Sequence, residues 1–351
     1  MSRNKRAGVL CAGLFVLGLA GCAGGNTSVP RSSPAAGSEA LVSAEQLPLN
    51  YFQFLGSHNS YKTAIPPATL AQLRAVNPQA ALALDYWHAP IAAQLDAGLR
   101  VLEFDVFYDP QQRLFGRAGD FPVVHVQNID TGSHCINLGE CLASVVDWSL
   151  ANPDHEPLMI SFNAKTDVID QPGFIRPNEF DMTAWQEFDG VLRESLGARI
   201  INPAEVLAPD GPKWPALSEA RGRVLLLLDE GPAKHATYLA AVAKPALFAN
   251  VPADDPRAAI RVINDPLSGA KEIALALQRG LLVRTRADAD TAEARTGSTT
   301  RRDAAFASGA QFVSTDYYIA ASHFGTDYQV TLPGGGAIRC NPKVTHKVCK
   351  D

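Results

Sequence analysis

Several short apolar runs of the sequence end in polar residues that could carry out chemistry. His58 and Asn59 follow the run YFQFLGS, and Glu103 and Asp105 lie two positions apart within LRVLEFDVF. An imidazole near its ordinary pKa gains and loses protons close to neutral pH. Carboxylate and amide oxygens are the ligands of hard cations such as calcium. The other polar residues found in or after such runs are His125, Asn163, Lys165, Asp229, Arg284, Arg286, Asp316 and Tyr317.

The spacing of the two acids predicts a site for a hard cation. Because alternate side chains of a strand point to the same face, Glu103 and Asp105 project together. Two carboxylates on one face repel each other unless a cation lies between them, and calcium or magnesium would accept their oxygens. Asn59 and Asn163 lie at the ends of neighbouring predicted strands, where their amide oxygens could complete the ligand set.

Two imidazoles beside a cation are suited to phosphoryl transfer. The cation and a protonated imidazole would stabilise charge on the non-bridging oxygens, while other groups move protons at the attacking and leaving oxygens. We expect His58 and His125 to be the acid–base pair, and Lys165 and Arg284 to offset the charge of a phosphate. Tyr317 would pack either on a sugar ring or in the wall of the fold. Each residue alone also has a purely structural explanation, and their common position after separate predicted strands favours a shared site.

The elements that must position these residues alternate along the chain. Segments with helical spacing, several closed by Gly or Asn, separate the apolar runs. This order predicts an α/β fold with a parallel sheet covered by helices, and eight such units favour a (β/α)8 TIM-type barrel over a doubly wound sheet. The active site of such a barrel forms at the C-terminal ends of its strands. The predicted strands are residues 51–55, 99–107, 122–126, 157–162, 222–229, 246–251, 281–286 and 310–315.

The N-terminus is typical of an export signal. Arg3, Lys5 and Arg6 precede the apolar stretch AGVLCAGLFVLGLA, which is too short for an ordinary spanning helix. The stretch ends in LAGC, which resembles a bacterial lipobox with Cys22 as the lipidated residue. A plain cleaved signal is the alternative. In both cases the protein is exported, either as a lipoprotein anchored at the outer membrane or cell surface or as a secreted protein.

Composition divides the chain into four segments. We expect residues 1–22 to be a lipoprotein signal peptide, and residues 23–47, rich in Gly, Ser, Pro and Ala, to be a flexible tether. Residues 48–325 would form the barrel, and residues 326–351 a C-terminal extension.

Four cysteines outside the signal fall into two close pairs, Cys135 with Cys141 and Cys340 with Cys349. Disulfides are the natural interpretation in an oxidising compartment. A zinc site is the rival interpretation, and it would need both pairs to meet in space. The second pair would staple the C-terminal extension.

The charge distribution argues against a nucleic-acid partner. The formal net charge is −5, and no run of Lys and Arg is interleaved with aromatic residues. The electrostatic footprint of a nucleic-acid-binding protein is therefore missing. We expect a monomer that binds no nucleic acid.

The ordered set GSHNSYK, LDAGLRVLEFDVF, VVHV, GLLVRTRADAD and AQFVSTDYY resembles a known family. It is similar to the calcium-dependent, secreted bacterial phosphatidylinositol-specific phospholipases C, within the superfamily of PLC-like barrel phosphodiesterases. The likeness spans roughly residues 50 to 320. The resemblance implies a distorted TIM barrel that uses calcium, rather than magnesium, to hydrolyse a phospholipid at a membrane surface.

The resemblance also implies a mechanism and roles for residues. The 2-hydroxyl of inositol would attack its own phosphodiester, releasing diacylglycerol and inositol 1,2-cyclic phosphate. His125 would be the general acid, and His58 would steady the pentacoordinate phosphorus. Asn59, Glu103 and Asp105 would bind calcium. No basic cluster suits the extra phosphates of a polyphosphoinositide, so phosphatidylinositol itself is the expected substrate.

One position departs from the family pattern. The family usually supplies a further carboxylate where this chain has Asn163. An amide keeps the ligand geometry but removes a charge, so calcium affinity should fall unless Asp167 compensates.

Two other functions stay open on the sequence. A glycerophosphodiester phosphodiesterase of the same superfamily would typically show His followed by Arg-Gly, where this chain has HNS. A non-catalytic envelope lipoprotein that retains the barrel is the second alternative, and the missing carboxylate at Asn163 keeps it open.

Overall fold

Strands and helices alternate in the computed structural model of the protein, which describes residues 43–343 and residue 349. The expected signal peptide with Cys22, and most of the expected tether, lie outside the described residues. The strands are β1 (Phe52–Ser57), β2 (Val101–Val106), β3 (Leu158–Ala164), β4 (Val224–Leu228), β5 (Phe248–Ala249), β6 (Ile260–Val262), β7 (Leu282–Arg286), β8 (Phe312–Thr315) and β9 (Ile338–Cys340). The α-helices are α1 (Pro67–Val76), α2 (Pro78–Ala83), α3 (Ile91–Asp96), α4 (Leu138–Ala151), α5 (Met182–Leu196), α6 (Pro203–Val206), α7 (Leu217–Ala220), α8 (Pro232–Ala241), α9 (Ala270–Gln278), α10 (Ala292–Thr296) and α11 (Thr300–Ser308).

The first eight strands form a nearly closed parallel barrel in the order β5-β4-β3-β2-β1-β8-β7-β6. Strand β9 pairs antiparallel with β1 outside this order. In the described chain β5 and β6 do not pair directly, but Asn250, which follows β5, bridges the gap. Its Oδ1 accepts hydrogen bonds from Arg261 Nη1 at 2.8 Å and from the Val262 N–H at 3.1 Å. The predicted TIM-type barrel is confirmed.

Residues 122–126 are not a barrel strand, so the sequence prediction was wrong there. They run back antiparallel along the end of β2, where Val123 bridges Val106 and the Phe107 N–H donates to Pro122 O at 3.0 Å. A parallel return would need a crossover of a dozen or more residues, usually a helix, and residues 107–121 form none. The missing barrel strand is β6, whose three residues are too few to give an apolar run in the sequence.

The interior of the barrel changes from apolar to polar along the strands. Near their N-terminal ends one buried cluster joins all eight barrel strands, and it includes Val101, Met159, Leu225 and Phe312. Since side chains alternate along a strand, residues two and four positions later face the same interior. Most of these later positions are polar, so the C-terminal mouth of the barrel is polar. They include Glu103, Asp105, Ser161, Asn163, Asp229, Arg284, Arg286, Ser314 and Asp316.

The alternate residues of the strands face the helices and form the outer core. Leu102 and Phe104 of β2 and Phe162 of β3 belong to one buried cluster with Trp185 and Phe188 of α5. The rings of Phe162 and Phe188 meet edge to face, with centroids 5.4 Å apart. Burial on this outer face fixes the register of β2, because a slip of one residue would turn the acids outward.

Strands β1 and β2 approach closely at Gly56. Gly56 is paired with Val101, and a Cβ atom at position 56 would lie 2.3 Å from the Val101 carbonyl oxygen. Only glycine fits at this distance. The close approach places the end of β1, with His58, beside the middle of β2, with Glu103.

Both predicted disulfides are present. Cys135 is bonded to Cys141 with their Cα atoms 5.3 Å apart, and Cys340 is bonded to Cys349 with their Cα atoms 5.8 Å apart. The second disulfide begins at Cys340, the last residue of β9, and staples the C-terminal extension, as expected.

Residues 44–46, which fall in the expected tether, form a 3-10 turn, and Glu45 forms an ion pair with Arg221 at 2.6 Å. Within residues 43–343, no helix combines the length and the apolar character needed to cross a bilayer.

Candidate active site

His58 is held between an acid and an arginine at the mouth of the barrel. Its Nδ1 lies 2.9 Å from Asp316 Oδ1, and its Nε2 lies 3.2 Å from Arg286 Nη1. A guanidinium only donates hydrogen bonds, so Nε2 accepts here and the ring proton is on Nδ1, where it is donated to Asp316. Arg286 also donates to Asp316 Oδ2 at 2.9 Å. Burial, followed by the charge of Arg286, holds the pKa of His58 well below its usual value, so the free imidazole is neutral.

The buried side-chain oxygen of Asn59, Oδ1, has no hydrogen-bond partner among the described residues. The Asn59 backbone has a φ of 49°, a left-handed conformation that Asn tolerates. Its Nδ2 donates to the Tyr86 hydroxyl at 2.8 Å, which fixes the orientation of the amide. A buried oxygen without a partner is costly, and a bound cation would satisfy it.

The two acids of β2 are each paired with a cation. Glu103 accepts a hydrogen bond from Asn163 Nδ2 at 3.1 Å through Oε1, and its other oxygen is bonded to Arg284 Nη2. Asp105 Oδ2 lies 3.2 Å from Lys165 Nζ. The structure therefore brings Glu103, Asp105, Asn163, Lys165 and Arg284 together, as the sequence predicted for residues at one mouth.

The side chains expected to bind the metal suit calcium, although only two of them carry a negative charge. No group of three or more His, Cys, Asp or Glu side chains in the described chain could hold a metal ion. The expected ligands are instead two carboxylates, Glu103 and Asp105, and two amides, Asn59 and Asn163. All four supply oxygen, which calcium prefers, and the unpartnered Asn59 Oδ1 is the observation that fits a cation best.

His125 lies on the loop after β2, which corrects the prediction that it belongs to a barrel strand at residues 122–126. Its Nδ1 is 2.8 Å from Asp130 Oδ2, and its side chain is 16% exposed. It lines a cavity together with Phe107, Lys165 and Asp167. His125 therefore faces the same mouth as Lys165, with Nε2 left free of protein partners among the described residues.

Tyr317 is not brought to this group. It is 3% exposed and belongs to a cluster in the wall of the barrel, where its ring meets that of Tyr328 edge to face at 5.8 Å. Since Phe312, Ser314 and Asp316 face inward, Tyr317 faces outward. Wall packing, the second of the two possibilities, describes it.

The sequence placed Asp229, Arg286 and Asp316 at the ends of predicted strands but assigned them no role. They occupy inward positions in or just after their strands, in agreement with the alternation of each strand. Burial raises the pKa of Asp229 to about 6, and its Oδ1 accepts a hydrogen bond from Asn250 Nδ2 at 2.9 Å. Asp130 had no such signal, because it lies in an irregular loop.

Solved structures with a similar fold include two bacterial enzymes. One is the calcium-dependent phosphoinositol-specific phospholipase C of a Gram-negative Pseudomonas species, with 18% identity, a TM-score of 0.53, and coverage of 85% of this chain and 96% of that one. The other is the Ca²⁺-dependent phosphatidylinositol-specific phospholipase C of Streptomyces antibioticus, with 18% identity, a TM-score of 0.51, and coverage of 79% and 97%. At this identity the likeness supports the fold alone.

The family assignment comes from the sequence. No curated protein matches the chain significantly. The family described as "Phosphoinositide phospholipase C, Ca2+-dependent" matches residues 47–119 and 116–342, which is most of the chain and includes every residue of the site. The chain thus belongs to the calcium-dependent phosphoinositide phospholipases C, a family of phosphodiesterases.

Proposed function

We propose that the protein cleaves phosphatidylinositol to diacylglycerol and inositol 1,2-cyclic phosphate. The hydrogen bond between His58 and Asp316 is the observation that carries this proposal. This hydrogen bond holds the ring proton on Nδ1, so the lone pair of the neutral imidazole is on Nε2. That nitrogen lies at the barrel mouth, close to the acids and cations that a phosphodiester would meet.

His58 would act as the general base. With its proton on Nδ1 and directed at Asp316, Nε2 can accept the proton of the inositol 2-hydroxyl, and Asp316 stabilises the resulting imidazolium. This role differs from the phosphorus-steadying role that the resemblance implies for His58. Arg286 contacts the same nitrogen in the free enzyme, and when the hydroxyl takes that place its guanidinium offsets the charge on the phosphate.

His125 would act as the general acid at the leaving oxygen of diacylglycerol. Asp130 accepts a hydrogen bond from Nδ1–H of His125, which leaves Nε2 at the cavity as the nitrogen that would donate the proton. Lys165 lines the same cavity and would contact the phosphate or inositol, and Arg284 lies deeper in the barrel beside Glu103.

Calcium would be held by Asn59, Glu103, Asp105 and Asn163. When bound, it supplies positive charge that stabilises the non-bridging oxygens of the phosphate in the transition state. The amide of Asn163 in place of a carboxylate lowers the charge of the ligand set, so we propose weaker calcium binding than a three-acid site would give.

Two exposed apolar side chains beside the mouth support a membrane partner. Trp87 is 44% exposed and Ile319 is 60% exposed, and both line a small cavity together with Asp316. Apolar side chains at the entrance can enter the lipid interface while the headgroup reaches His58. We also propose that the protein is an exported monomer, with a signal peptide at residues 1–22, lipidation at Cys22 and a tether up to about residue 47.

The test uses the purified protein with two substrates. Phosphatidylinositol vesicles and a glycerophosphodiester are each incubated with calcium or with a chelator, and ³¹P NMR follows the phosphorus products. The proposal predicts a cyclic phosphate from phosphatidylinositol in calcium alone, with little product from His58→Ala. Glycerol phosphate as the main product would indicate the phosphodiesterase alternative. No product from either substrate would indicate the non-catalytic alternative.

A further inference from the structure

Lys62 is a buried cation within reach of the proposed active site. Its side chain is fully buried, and Nζ donates to Tyr86 O at 2.7 Å and lies 3.2 Å from Asp130 Oδ2. It also lies 4.7 Å from the centroid of the Tyr86 ring. An ammonium group removed from water is unfavourable unless it is paired, so Lys62 depends on Asp130 for its position in the core.

Asp130 carries both Lys62 and His125 on a single oxygen. Its Oδ2 is 3.2 Å from Lys62 Nζ and 2.8 Å from His125 Nδ1, whereas its buried Oδ1 has no hydrogen-bond partner in the described part of the chain. Because Lys62 and His125 both contact Oδ2, turning the carboxylate would break both contacts. Lys62 therefore helps to keep Oδ2 facing the imidazole.

The same lysine is tied to the other half of the site through its backbone. The Lys62 N–H donates to Asn59 O at 2.9 Å, and Lys62 O accepts from the His88 N–H at 2.9 Å. His88 in turn contacts the His58 carbonyl oxygen through Nε2 at 2.7 Å. The segment that carries His58 and the loop that carries His125 are thus joined through one residue.

We propose that Lys62 is a positioning residue for the general acid, acting through Asp130 to hold the Nδ1–H of His125 in place and so to direct its Nε2–H at the leaving oxygen. The role of His125 as general acid rests on the proposed function, but the contacts of Asp130 with Lys62 and His125 do not depend on it. The ammonium group holds the Asp130 carboxylate in place. Without it, the carboxylate would keep a single partner and could turn, and His125 would lose the acceptor that orients it.

The diagnostic experiment compares leaving groups. Diacylglycerol is a poor leaving group that needs a proton, whereas the nitrophenolate of a nitrophenyl inositol phosphate leaves without one. Lys62→Met should lower kcat on phosphatidylinositol by about 10-fold or more, because general acid catalysis contributes about 10²–10⁴-fold and only part of it depends on orientation. On the nitrophenyl ester the same variant should stay within about 3-fold of the parent. Lys213→Met, which removes an exposed lysine that pairs with Asp210, is the matched control and should leave both rates unchanged.

Equal losses on both substrates would overturn the proposal, because they would indicate general damage to the site. The double variant Lys62→Met/Asp130→Asn removes both charges together and keeps the shape of the pair, so it provides a folded protein if the single variant does not fold. It should show the same selective loss on phosphatidylinositol, and a rate equal to that of the parent would contradict the proposal.

A second readout does not depend on activity. At a pH where the His125 ring carries a single proton, ¹⁵N labelling reports which of its two nitrogens holds that proton. The parent should show a protonated Nδ1, and Lys62→Met or the double variant should show a mixture of tautomers. An unchanged His125 signature would refute the positioning role, even if the parent cleaved no phosphodiester and the proposed function had already failed.

Discussion

Asp316 lies 2.9 Å from His58 although the two residues are 258 positions apart in the chain. The pairing of β1 with β8 in the barrel creates this contact, since each residue follows the end of its strand. The contact fixes the tautomer of His58 and leaves Nε2 for the substrate.

Replacing Asp316 by Asn should test this relationship. The side chain keeps its shape, but its amide no longer accepts from Nδ1–H with a negative charge, and the imidazolium formed during the reaction loses its stabilising partner. We expect kcat on phosphatidylinositol to fall by about 100-fold with an unchanged circular dichroism spectrum. Asp210→Asn, at an exposed acid, serves as the control. A loss below about 3-fold would show that Asp316 is dispensable.

Asn163→Asp should strengthen calcium binding. The substitution restores a carboxylate opposite Asp105 on the neighbouring strand, where the two residues are paired in register. An added anionic oxygen should lower the calcium Kd by about 10-fold, measured by isothermal titration. Asn77→Asp adds the same charge at the N-cap of α2 and should leave the Kd unchanged. Equal affinities in parent and Asn163→Asp would place calcium away from position 163.

Asp229 should make stability depend on pH. Burial raises its pKa from 3.8 to about 6 in the folded protein. Below about pH 4 the carboxyl is protonated in both states, and between pH 4 and 6 only the unfolded state ionises, so the free energy of unfolding falls as pH rises. Compared with Asp229→Asn, the parent should lose about 1–2 kcal/mol of its free energy of unfolding between pH 4 and 7. This loss is smaller than the full pKa shift would give, because solvent partly screens the carboxylate. Urea unfolding in chelator at several pH values measures this, and parallel curves would contradict it.

The apolar entrance should matter for vesicles and not for soluble substrate. Trp87→Ala and Ile319→Ser remove exposed apolar surface beside Asp316, so sedimentation with phosphatidylinositol vesicles should decrease by several-fold. The rate on a soluble nitrophenyl inositol phosphate should stay close to that of the parent. Leu275→Ser, which removes a side chain that is 47% exposed on α9, is the matched control. Equal vesicle binding by all variants would exclude this entrance as the contact surface.

Much of this arrangement was predictable from alternation along strands. The acids Glu103 and Asp105 were placed on the inner face of β2 from their spacing alone, and that prediction extends to Arg284 on β7. Asp316 was also placed at the end of the eighth predicted strand, where it continues the inward series after Ser314, but its pairing with His58 was not predicted. A two-residue period is a local property, so residues that obey it are found without knowledge of the rest of the fold.

The unpredicted contacts lie where no period applies. His125 lies in a loop whose apolar residues VVHV resemble a buried strand, and only the lack of a helix in residues 107–121 argues against that interpretation. Lys62 and Asp130 meet through two irregular segments, and a lysine in a sequence ordinarily indicates an exposed side chain. Strand β6 was not predicted because its three residues are too few to show an apolar run or a two-residue alternation.

The most direct test of the central claim is a crystal structure of the protein grown with calcium, with the ion located by its anomalous scattering. We expect one ion at about 2.3–2.6 Å from oxygens of Asn59, Glu103 and Asp105, on the side of the barrel mouth where His58 and His125 lie. An ion bound elsewhere, or no ion at calcium concentrations that support cleavage, would contradict the proposed site.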